Sequence, residues 1–547
     1  MTKHIVNNPA KRAPDKQEKL ETIVLELATQ SYSSELDFVK ALRQVFSRHK
    51  MTPTSKANLI VAYKNLIKKG KLKENRKFSE LLIKRAVRTL SGVSVITVLS
   101  KPFTCPGKCV YCPSEPDMPK SYLSNEPAAA RAKMNLFDPM RQVTMRIQAL
   151  LNNGHQVDKL ELLVLGGTWS VYPVKYQDEF IRDCFFAANT FGDTKKRHAK
   201  SLEEEQKINE DTKYKIIGLT LETRPDFVTA AEIKRMRHLG CTRVQIGIQH
   251  TDNKILDKIQ RGHDLQSSIE ATRLLKETGF KVDHHYMPDL PGSSPDKDLK
   301  MFKYVFESSD LQPDQIKIYP CIVNEYSELH KWYQDGKYKP YSEKDLSDLL
   351  MKIKLLTPPY VRINRLIRDI PEESITAGNK ITNLRQYLQQ GLKKQNKACQ
   401  CIRCREVKGD TTGIAQAELV TREYKSSRGR EIFLSFESPD RQKIYAFLRL
   451  RLNENSQQNI FEELKGASIV RELHVYGKMI PTYGEGLDDE TSQTQHSGFG
   501  KKLMAEAEKI TRANKLNKVA VISGIGVRNY YKKLGYTLEG TYMTKNL

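Results

Sequence analysis

The chain has 547 residues, long enough for several domains and sizeable cores. Ninety Lys and Arg against 65 Asp and Glu leave a formal charge of +25, which favours a polyanionic partner, most often nucleic acid, over a merely basic soluble surface. No run of about 18 apolar residues occurs, so no transmembrane helix is expected, and the opening MTKHIVNNPAKRAPDKQ lacks the apolar core of a secretion signal. Six of the nine cysteines fall in two tight triplets, which is metal-site usage in a reducing compartment and not a disulfide framework. A cytoplasmic protein is expected.

Residues 1–90 read as a basic helical segment. Between Met1 and Lys101 there are 21 Lys or Arg and 8 Asp or Glu. Leu20, Ile23, Val24 and Leu27, and then Leu59, Ile60, Tyr63, Leu66 and Ile67, recur at helical spacing. Lys64, Lys68, Lys69, Lys71 and Lys73 interleave with or follow the second set. The segment predicts an RNA-docking module whose lysines meet phosphates; the plainer reading is a helical cap with a solvated face.

Residues 91–375 alternate strand-like and helical runs. The strand-like runs are VSVITVL (93–99), KLELLVL (159–165), YKIIGLTL (214–221), TRVQIGI (242–248), FKVDHHYM (280–287) and QIKIYPCIV (315–323). Such alternation predicts a parallel sheet covered by helices, and six βα units suit a partial (β/α)6 barrel of α/β class. Chemistry in such barrels sits at the C-terminal ends of the strands. The charged stretch 195–213 reads as an exposed insertion.

The first strand runs into TCPGKCVYCP, with Cys105, Cys109 and Cys112 spaced C-x3-C-x2-C. Three close thiolates can grip one soft metal centre, and a [4Fe-4S] cluster with only three local cysteines keeps one iron open. A structural zinc loop is the alternative and would want a fourth ligand. The loop resembles those of the radical S-adenosylmethionine (SAM) enzymes, whose open iron binds SAM. The later strand ends carry Gly166-Gly167-Thr168, Glu222-Thr223-Arg224-Pro225-Asp226, Gln249-His250 and Met287-Pro288-Asp289-Leu290-Pro291-Gly292. A diglycine lets backbone approach a ligand closely, and in the radical SAM family the matching end contacts the SAM amino group. No separate role is assigned to His284 or His285, since a strand histidine is more often packed than catalytic.

Residues 376–412 read as a zinc-binding linker, with Cys399, Cys401 and Cys404 in CQCIRCRE. A second iron–sulfur cluster is the alternative, and Cys321 or a histidine is a candidate fourth ligand. Cys184 and Cys241 read as buried small apolar residues.

Residues 413–547 read as a third α/β domain. EIFLSF (431–436) and IYAFLRLRL (444–452) flank a hairpin signal at Glu437–Arg441. ASIVRELHVYG follows, then Gln495-His496-Ser497-Gly498-Phe499-Gly500 opening an amphipathic helix, a Q-x-x-G-x-G loop suited to a pyrophosphate. The ordered set, ending in KVAVISG and RNYYKKLGY, resembles the GNAT acyltransferase fold, where this loop binds coenzyme A.

The combination, with CVYCP, LGGTW, ETRPD, GFKVDHHYMPDLPG, VRELHVYG and GFGKKLM, resembles the catalytic subunit family of Elongator from about residue 80 to the C-terminus. That resemblance implies a tRNA-modifying enzyme that builds a carboxymethyl group on carbon 5 of the wobble uridine from acetyl-CoA, using a SAM-derived 5′-deoxyadenosyl radical and an external electron donor. It implies cluster ligation by Cys105, Cys109 and Cys112, and SAM contact at Gly166 and Gly167. It further implies acetyl-CoA contacts at Lys159, at Glu472, Leu473, His474 and Val475, at Gly498, Phe499 and Gly500, and at Tyr530, with Lys159 and Tyr530 as catalytic candidates meeting across one interface. The short C-x3-C spacing follows the general radical SAM pattern and suggests a bacterial or archaeal member for which Elongator-like accessory subunits are admitted but not required. The rival classes are a protein lysine acetyltransferase with a structural barrel, another radical SAM tRNA enzyme such as a methylthiotransferase, and an RNA-binding scaffold.

Overall fold

The computed structural model describes residues 14–83, 92–407, 412–476 and 498–547. They divide into two units, one formed by residues up to 90 together with 145–157, the other by the remainder. In the first unit, helices span Pro14–Ala28, Glu35–Arg48, Lys56–Lys68 and Arg76–Leu82. Three of them start where a side chain takes up an otherwise orphaned amide: Ser34 accepts from Asp37, Ser55 from Asn58 and Asn75 from Phe78. The periodic residues Leu20, Ile23, Val24, Leu27, Leu59, Tyr63 and Leu66 form one core with Phe38, Phe46 and Phe78. Lys68, Lys71 and Lys73 are exposed, and Lys69 pairs with Glu21 at 2.8 Å.

The second unit begins with a seven-stranded parallel sheet in chain order: β1 Ser94–Leu99, β2 Lys159–Leu165, β3 Lys215–Thr223, β4 Arg243–Gln249, β5 Lys281–Tyr286, β6 Gln315–Ile318 and β7 Arg362–Arg365. Six of these are the runs read from sequence. The seventh was not, because RINR is four residues long and three of them are polar. β6 also stops at Ile318, well short of the apolar run, which Pro320 interrupts. In β2, Leu160, Leu162 and Val164 are buried on one face while Lys159, Glu161, Leu163 and Leu165 alternate on the other. The second set faces a polar barrel lumen shared with Arg243, Gln245, Asp283, His285 and Lys317.

The stretch 195–213 is not a bare exposed insertion. Leu202–Asn209 is a helix with a Ser201/Glu204 capping box. Its Glu205 is fully buried and bound by Arg197 and Asn189, and Asn209 holds the Tyr214 carbonyl and the Ile216 amide. The high charge density concealed an internally paired element.

The second sheet is mixed, in order β13-β14-β12-β11-β10-β9-β8: β8 Glu418–Lys425, β9 Gly429–Glu437, β10 Ile444–Asn453, β11 Ala467–Val475, β12 Lys518–Val521, β13 Thr537–Glu539 and β14 Tyr542–Asn546. The hairpin joins β9 to β10 as expected. Only β11 and β12 run parallel, and their pairing ends at Val470 and Val521. Helix Phe499–Ala513 packs Phe499, Leu503, Met504 and Ala507 on one face of this sheet. The other face meets the N-terminal ends of the barrel strands.

That junction is built of charge. Asp314, just before β6, and Glu431 of β9 are both buried, and Arg471 binds both, at 2.8 Å to Asp314 Oδ2 and 3.0 Å to Glu431. Arg451 reaches Glu431 at 2.9 Å, and Arg449 ties Glu472 at 3.0 Å. Lys276 lies 3.9 Å from Asp314 and 3.8 Å from Glu431; burial brings its ammonium down to about 8 although both carboxylates favour its charge. Against the penalty of its own burial, Asp314 is held well below the usual carboxylate range by Arg471, Lys276 and Arg449.

Removing one partner of such a cluster strands the others. Asp314→Asn is expected to lower stability by about 3–5 kcal/mol in denaturant unfolding at neutral pH. A carboxyl that titrates lower when folded contributes fully above its unfolded value near ~4 and loses that contribution as pH falls. The stability gap between the native protein and the variant should therefore narrow in acid, and a gap independent of pH would refute the assignment.

Candidate active site

The cysteine loop leaves β1 and is pinned on both sides. The Val110 amide donates to the Ile259 carbonyl, and the Leu329 amide donates to the Val110 carbonyl. Cys109 is buried, and Arg261 Nη1 donates to its sulfur at 3.4 Å. Cys105 Sγ lies 3.6 Å from Thr168 Oγ1, next to the diglycine. A Cβ at Gly107 would sit 3.6 Å from both the Cys105 and Cys109 sulfurs and 2.5 Å from Arg224 Nη1, so only glycine leaves that cradle open. Burial, and then the neighbouring Cys109 sulfur, push the Cys112 thiol up to about 12. Such a trio needs compensating positive charge to ionise, as coordinated iron supplies.

The diglycine divides its work. Gly166 has φ 139°, and a Cβ there would fall 2.0 Å from Ser100 Oγ, so it lets β1 and β2 close on each other. Gly167, at φ 95°, would meet only the Lys120 carbonyl, at 3.3 Å, and is the one whose backbone remains approachable.

Around the loop the strand-end residues Glu222, Arg224, Asp226 and Gln249, expected from sequence, meet Tyr122, Gln245 and Lys317, which the sequence does not single out, and His285, to which it assigns no separate role. Tyr122 donates to Glu222 at 2.7 Å, and His285 Nδ1 lies 3.7 Å from the same carboxylate. His285 Nε2 is 3.1 Å from Gln245 Oε1, and Lys317 donates to that oxygen as well. Burial, and then Lys317, keep His285 well below the ordinary imidazole range, so it is neutral. Burial likewise lowers Lys317 to about 8, although Asp283 and Glu222 favour its charge. Arg224 binds Asp226 but leaves a buried Nη1 without a partner, and the buried Gln249 Oε1 is also unpartnered among the described residues. Unmet buried donors and acceptors beside three thiolates fit a bound polar cofactor of the SAM type. His284 points the other way, into Thr272 and Tyr286, and is packed as expected.

Cys399, Cys401 and Cys404 form the second triad, with all three sulfurs within 4.8 Å of one another. Two ligands of one tetrahedral zinc stand about 3.8 Å apart, given Zn–S near ~2.3 Å, so these thiolates fit a single ion. Cys321 is not beside them; it is buried near Tyr338 and Asp289. Lys354 and Gln389 each reach Cys404 Sγ at 3.7 Å. Cys184 and Cys241 are fully buried.

In the second sheet the expected acyl-carrier residues converge in part. A Cβ on Gly500 would lie 2.7 Å from Tyr530 Oη and 3.6 Å from Val475, so the helix start, the end of β11 and the tyrosine share one corner. Gly498 has φ 63° and opens that helix; Gln495, His496 and Ser497 lie outside the described residues. Past Val470, the edge of β11 that faced β12 is released, and Glu472–Val475 are partly exposed where an extended ligand could lie. Leu473 and Val475 pack toward the helix, while Glu472 and His474 face the barrel.

Lys159 opens β2 beside Lys215, and its ammonium is lowered by burial. It also stands at the N-terminal end of its strand, six residues and about 20 Å from the end that meets the cysteine loop. The two candidate centres therefore occupy opposite ends of the barrel.

Residues 100–305 match the Radical SAM superfamily, and residues 313–394 match the Radical_SAM C-terminal domain. A protein from Methanocaldococcus infernus named tRNA uridine(34) acetyltransferase is 41% identical over 498 residues, covering 88% of this chain and 91% of its own length. Elongator complex protein 3 of Homo sapiens is 39% identical over 485 residues, covering 85% of this chain and 86% of its own. This chain belongs to the Elongator complex protein 3 family. The solved structure of the archaeal Methanocaldococcus infernus Elp3 lacking its N-terminus agrees with it at a TM-score of 0.72 and 39% identity, over 83% of this chain and 99% of that one. Membership places the chain among enzymes whose superfamily uses a [4Fe-4S] cluster and SAM, and the three thiolates with their open cradle fit that group.

Replacing Cys109 tests the assignment directly. Cys109→Ala, reconstituted anaerobically with iron and sulfide, should lose the visible iron–sulfur absorbance while leaving unchanged any metal that Cys399, Cys401 and Cys404 take up. Retained absorbance with loss of the second metal would exchange the two assignments.

Proposed function

We propose that this protein is a cytoplasmic enzyme that forms 5-carboxymethyluridine at the wobble uridine of tRNA, taking the two-carbon unit from acetyl-CoA. The observation that carries the reading is the union of the cysteine loop and the split β11–β12 edge in one unit, joined by the buried charge cluster. The relatives named tRNA uridine(34) acetyltransferase support both the base and the position.

In this reading Cys105, Cys109 and Cys112 hold the cluster. Gly167, with Gly166 behind it, admits the amino group of SAM. If bound and reduced by an external electron donor, the cluster and SAM together would supply a carbon radical; taking hydrogen from the acetyl methyl then requires the acyl arm to extend up the barrel from the rim at which Lys159 stands. The residues of the chain then position and exclude. The amides of Gly498, Phe499 and Gly500 and the positive end of their helix take the pyrophosphate of coenzyme A. The free edge of Glu472–Val475 takes the pantetheine amides. Tyr530, at the Gly500 corner, stands near the thioester, where its phenol can donate a hydrogen bond. Lys159 contributes positive charge at the lower rim of the barrel, where exclusion of water strengthens it. Zinc at Cys399, Cys401 and Cys404 pins the linker, and the lysines of the first unit meet tRNA phosphates. Accessory subunits are not required.

The lysine acetyltransferase reading fares worse on one observation. A merely structural barrel would leave the three thiolates and the glycine-lined cradle beside them without a role.

Nucleoside mass spectrometry of tRNA incubated with methyl-labelled acetyl-CoA, SAM and reductant should find the label in 5-carboxymethyluridine. Label on protein lysines alone would favour the rival. Lys159→Ala and Tyr530→Phe should each lower product by about ten- to a hundredfold with cluster absorbance intact, in the range of single polar contacts to a reacting group. Binding of tRNA should weaken with log salt at a slope of about −0.7 to −0.9 per phosphate contact. Removal of residues 1–80 should flatten that slope; an unchanged slope would make the basic helices a solvated face.

A further inference from the structure

The released edge of β11 presents one side chain whose hydrogen-bonding capacity is unspent. Side chains alternate across the strand, so Arg471 is bulged out of register while Glu472 and His474 share the barrel-facing side. Arg471 is saturated by Asp314 and Glu431. Glu472 is held by Arg449 at 3.0 Å and Lys281 at 3.4 Å. His474 Nε2 is buried and has no partner among the described residues. An orphaned buried polar atom costs about 1–3 kcal/mol, which a purely packed position would not retain without reason.

The ring is also fixed. It lies over Phe447 with centroids 5.7 Å apart and planes at 14°, and against Tyr476 at 4.3 Å. Burial lowers it to about 4; Glu472 pulls the other way, and Arg362 and Lys281 reinforce the lowering. Lys281 and Arg362 are the first residues of β5 and β7, so the imidazole faces the lower rim of the barrel. It is neutral and immobile, and it adjoins the strand edge assigned to the pantetheine arm.

We infer that His474, in its Nε2–H form, donates a hydrogen bond to the carbonyl oxygen of the acyl thioester and polarises it for hydrolysis. The inference rests on the acetyl-CoA reading above. In the step it assists, a water oxygen bonds to the carbonyl carbon while the C=O π pair moves to the oxygen held by Nε2–H. The pair then returns, the C–S bond breaks, and coenzyme A leaves as the thiol with a proton from the water. The product acid gives its remaining proton to solvent. Since His474 is already neutral, it can act as a donor without first being charged. Tyr530 lies at the Gly500 corner with Val475, whose side chain alternates away from that of His474.

The direct test is the infrared carbonyl stretch of bound acetyl-CoA, isolated by difference between carbonyl-13C and unlabelled ligand on the full-length protein. The stretch should be lowered relative to free acetyl-CoA. His474→Phe, which keeps the aromatic stack, should bind acetyl-CoA within about threefold of the native affinity, return the stretch to its free value and slow thiol release by about 10²–10³-fold, the usual loss for one such donor. His474→Gln, which restores an N–H, should recover part of both. An unchanged stretch in a His474→Phe variant that binds acetyl-CoA overturns the inference alone, whereas failure of the native protein to bind acetyl-CoA overturns the underlying reading. If His474→Phe does not fold, histidine 15N–1H spectra of the native protein decide. The Nε2 proton should move downfield with acetyl-CoA and stay in place with a thioether analogue lacking the carbonyl; equal responses to both overturn the proposal.

Discussion

The charge cluster around Asp314 and Glu431 is the constraint on which the rest of the second unit depends. Two sheets of different topology meet there, and neither offers the other a continuous apolar face. Arg449, Arg451, Arg471 and Lys276 instead meet the two carboxylates and Glu472 out of solvent. Ion pairs of this kind contribute less net stability than apolar packing of the same volume, because desolvation offsets most of the attraction. They are, however, directional. A guanidinium that must satisfy Asp314 and Glu431 together admits only one register of β11 on the barrel, and the stacked Tyr360 and Tyr424 rings, 3.9 Å apart, close the same junction. The free edge of β11 is thereby held at the lower rim of the lumen.

Inside the barrel a polar column continues from that rim. Glu161 meets Arg243 at 2.8 Å, Arg243 meets Gln315, and Asn364 joins Gln315 to Asp283. Higher up, Lys317, Gln245, His285, Glu222 and Tyr122 follow. A barrel of purely structural purpose fills with branched apolar side chains. This one carries hydrogen-bonding groups from end to end, buried and bonded to one another.

Much of this was legible in the sequence, because the signals were periodic or chemically distinctive. Six parallel strands, the cysteine loop, the hairpin and the helical core of the first unit all follow from spacing. What escaped was set by partners far along the chain. β7 is too short and too polar to announce itself, and β8 alternates without burying any residue fully. His284 and His285 are adjacent and look equivalent; only the pleat sends one to Thr272 and the other to Gln245. Strand parity, counted from the buried Val282 and Tyr286, carried that information. Arg261 had no local signal, since its place beside Cys109 depends on how the turn after Lys258 folds back. Lys159 was rightly read at the start of its strand, yet its distance from the cysteine loop follows only once strand direction is set against loop position.

That separation of the two centres along the strands has a bearing on how the enzyme can change. The loop after β1 leaves the C-terminal end of its strand, while the released edge of β11 stands near the N-terminal ends, so a substitution at one end need not disturb the other. The ends can vary independently, one adapting to the radical source and the other to the acyl donor. The lumen between them, bonded to itself from Glu161 to Tyr122, is the part in which a single change reaches many partners.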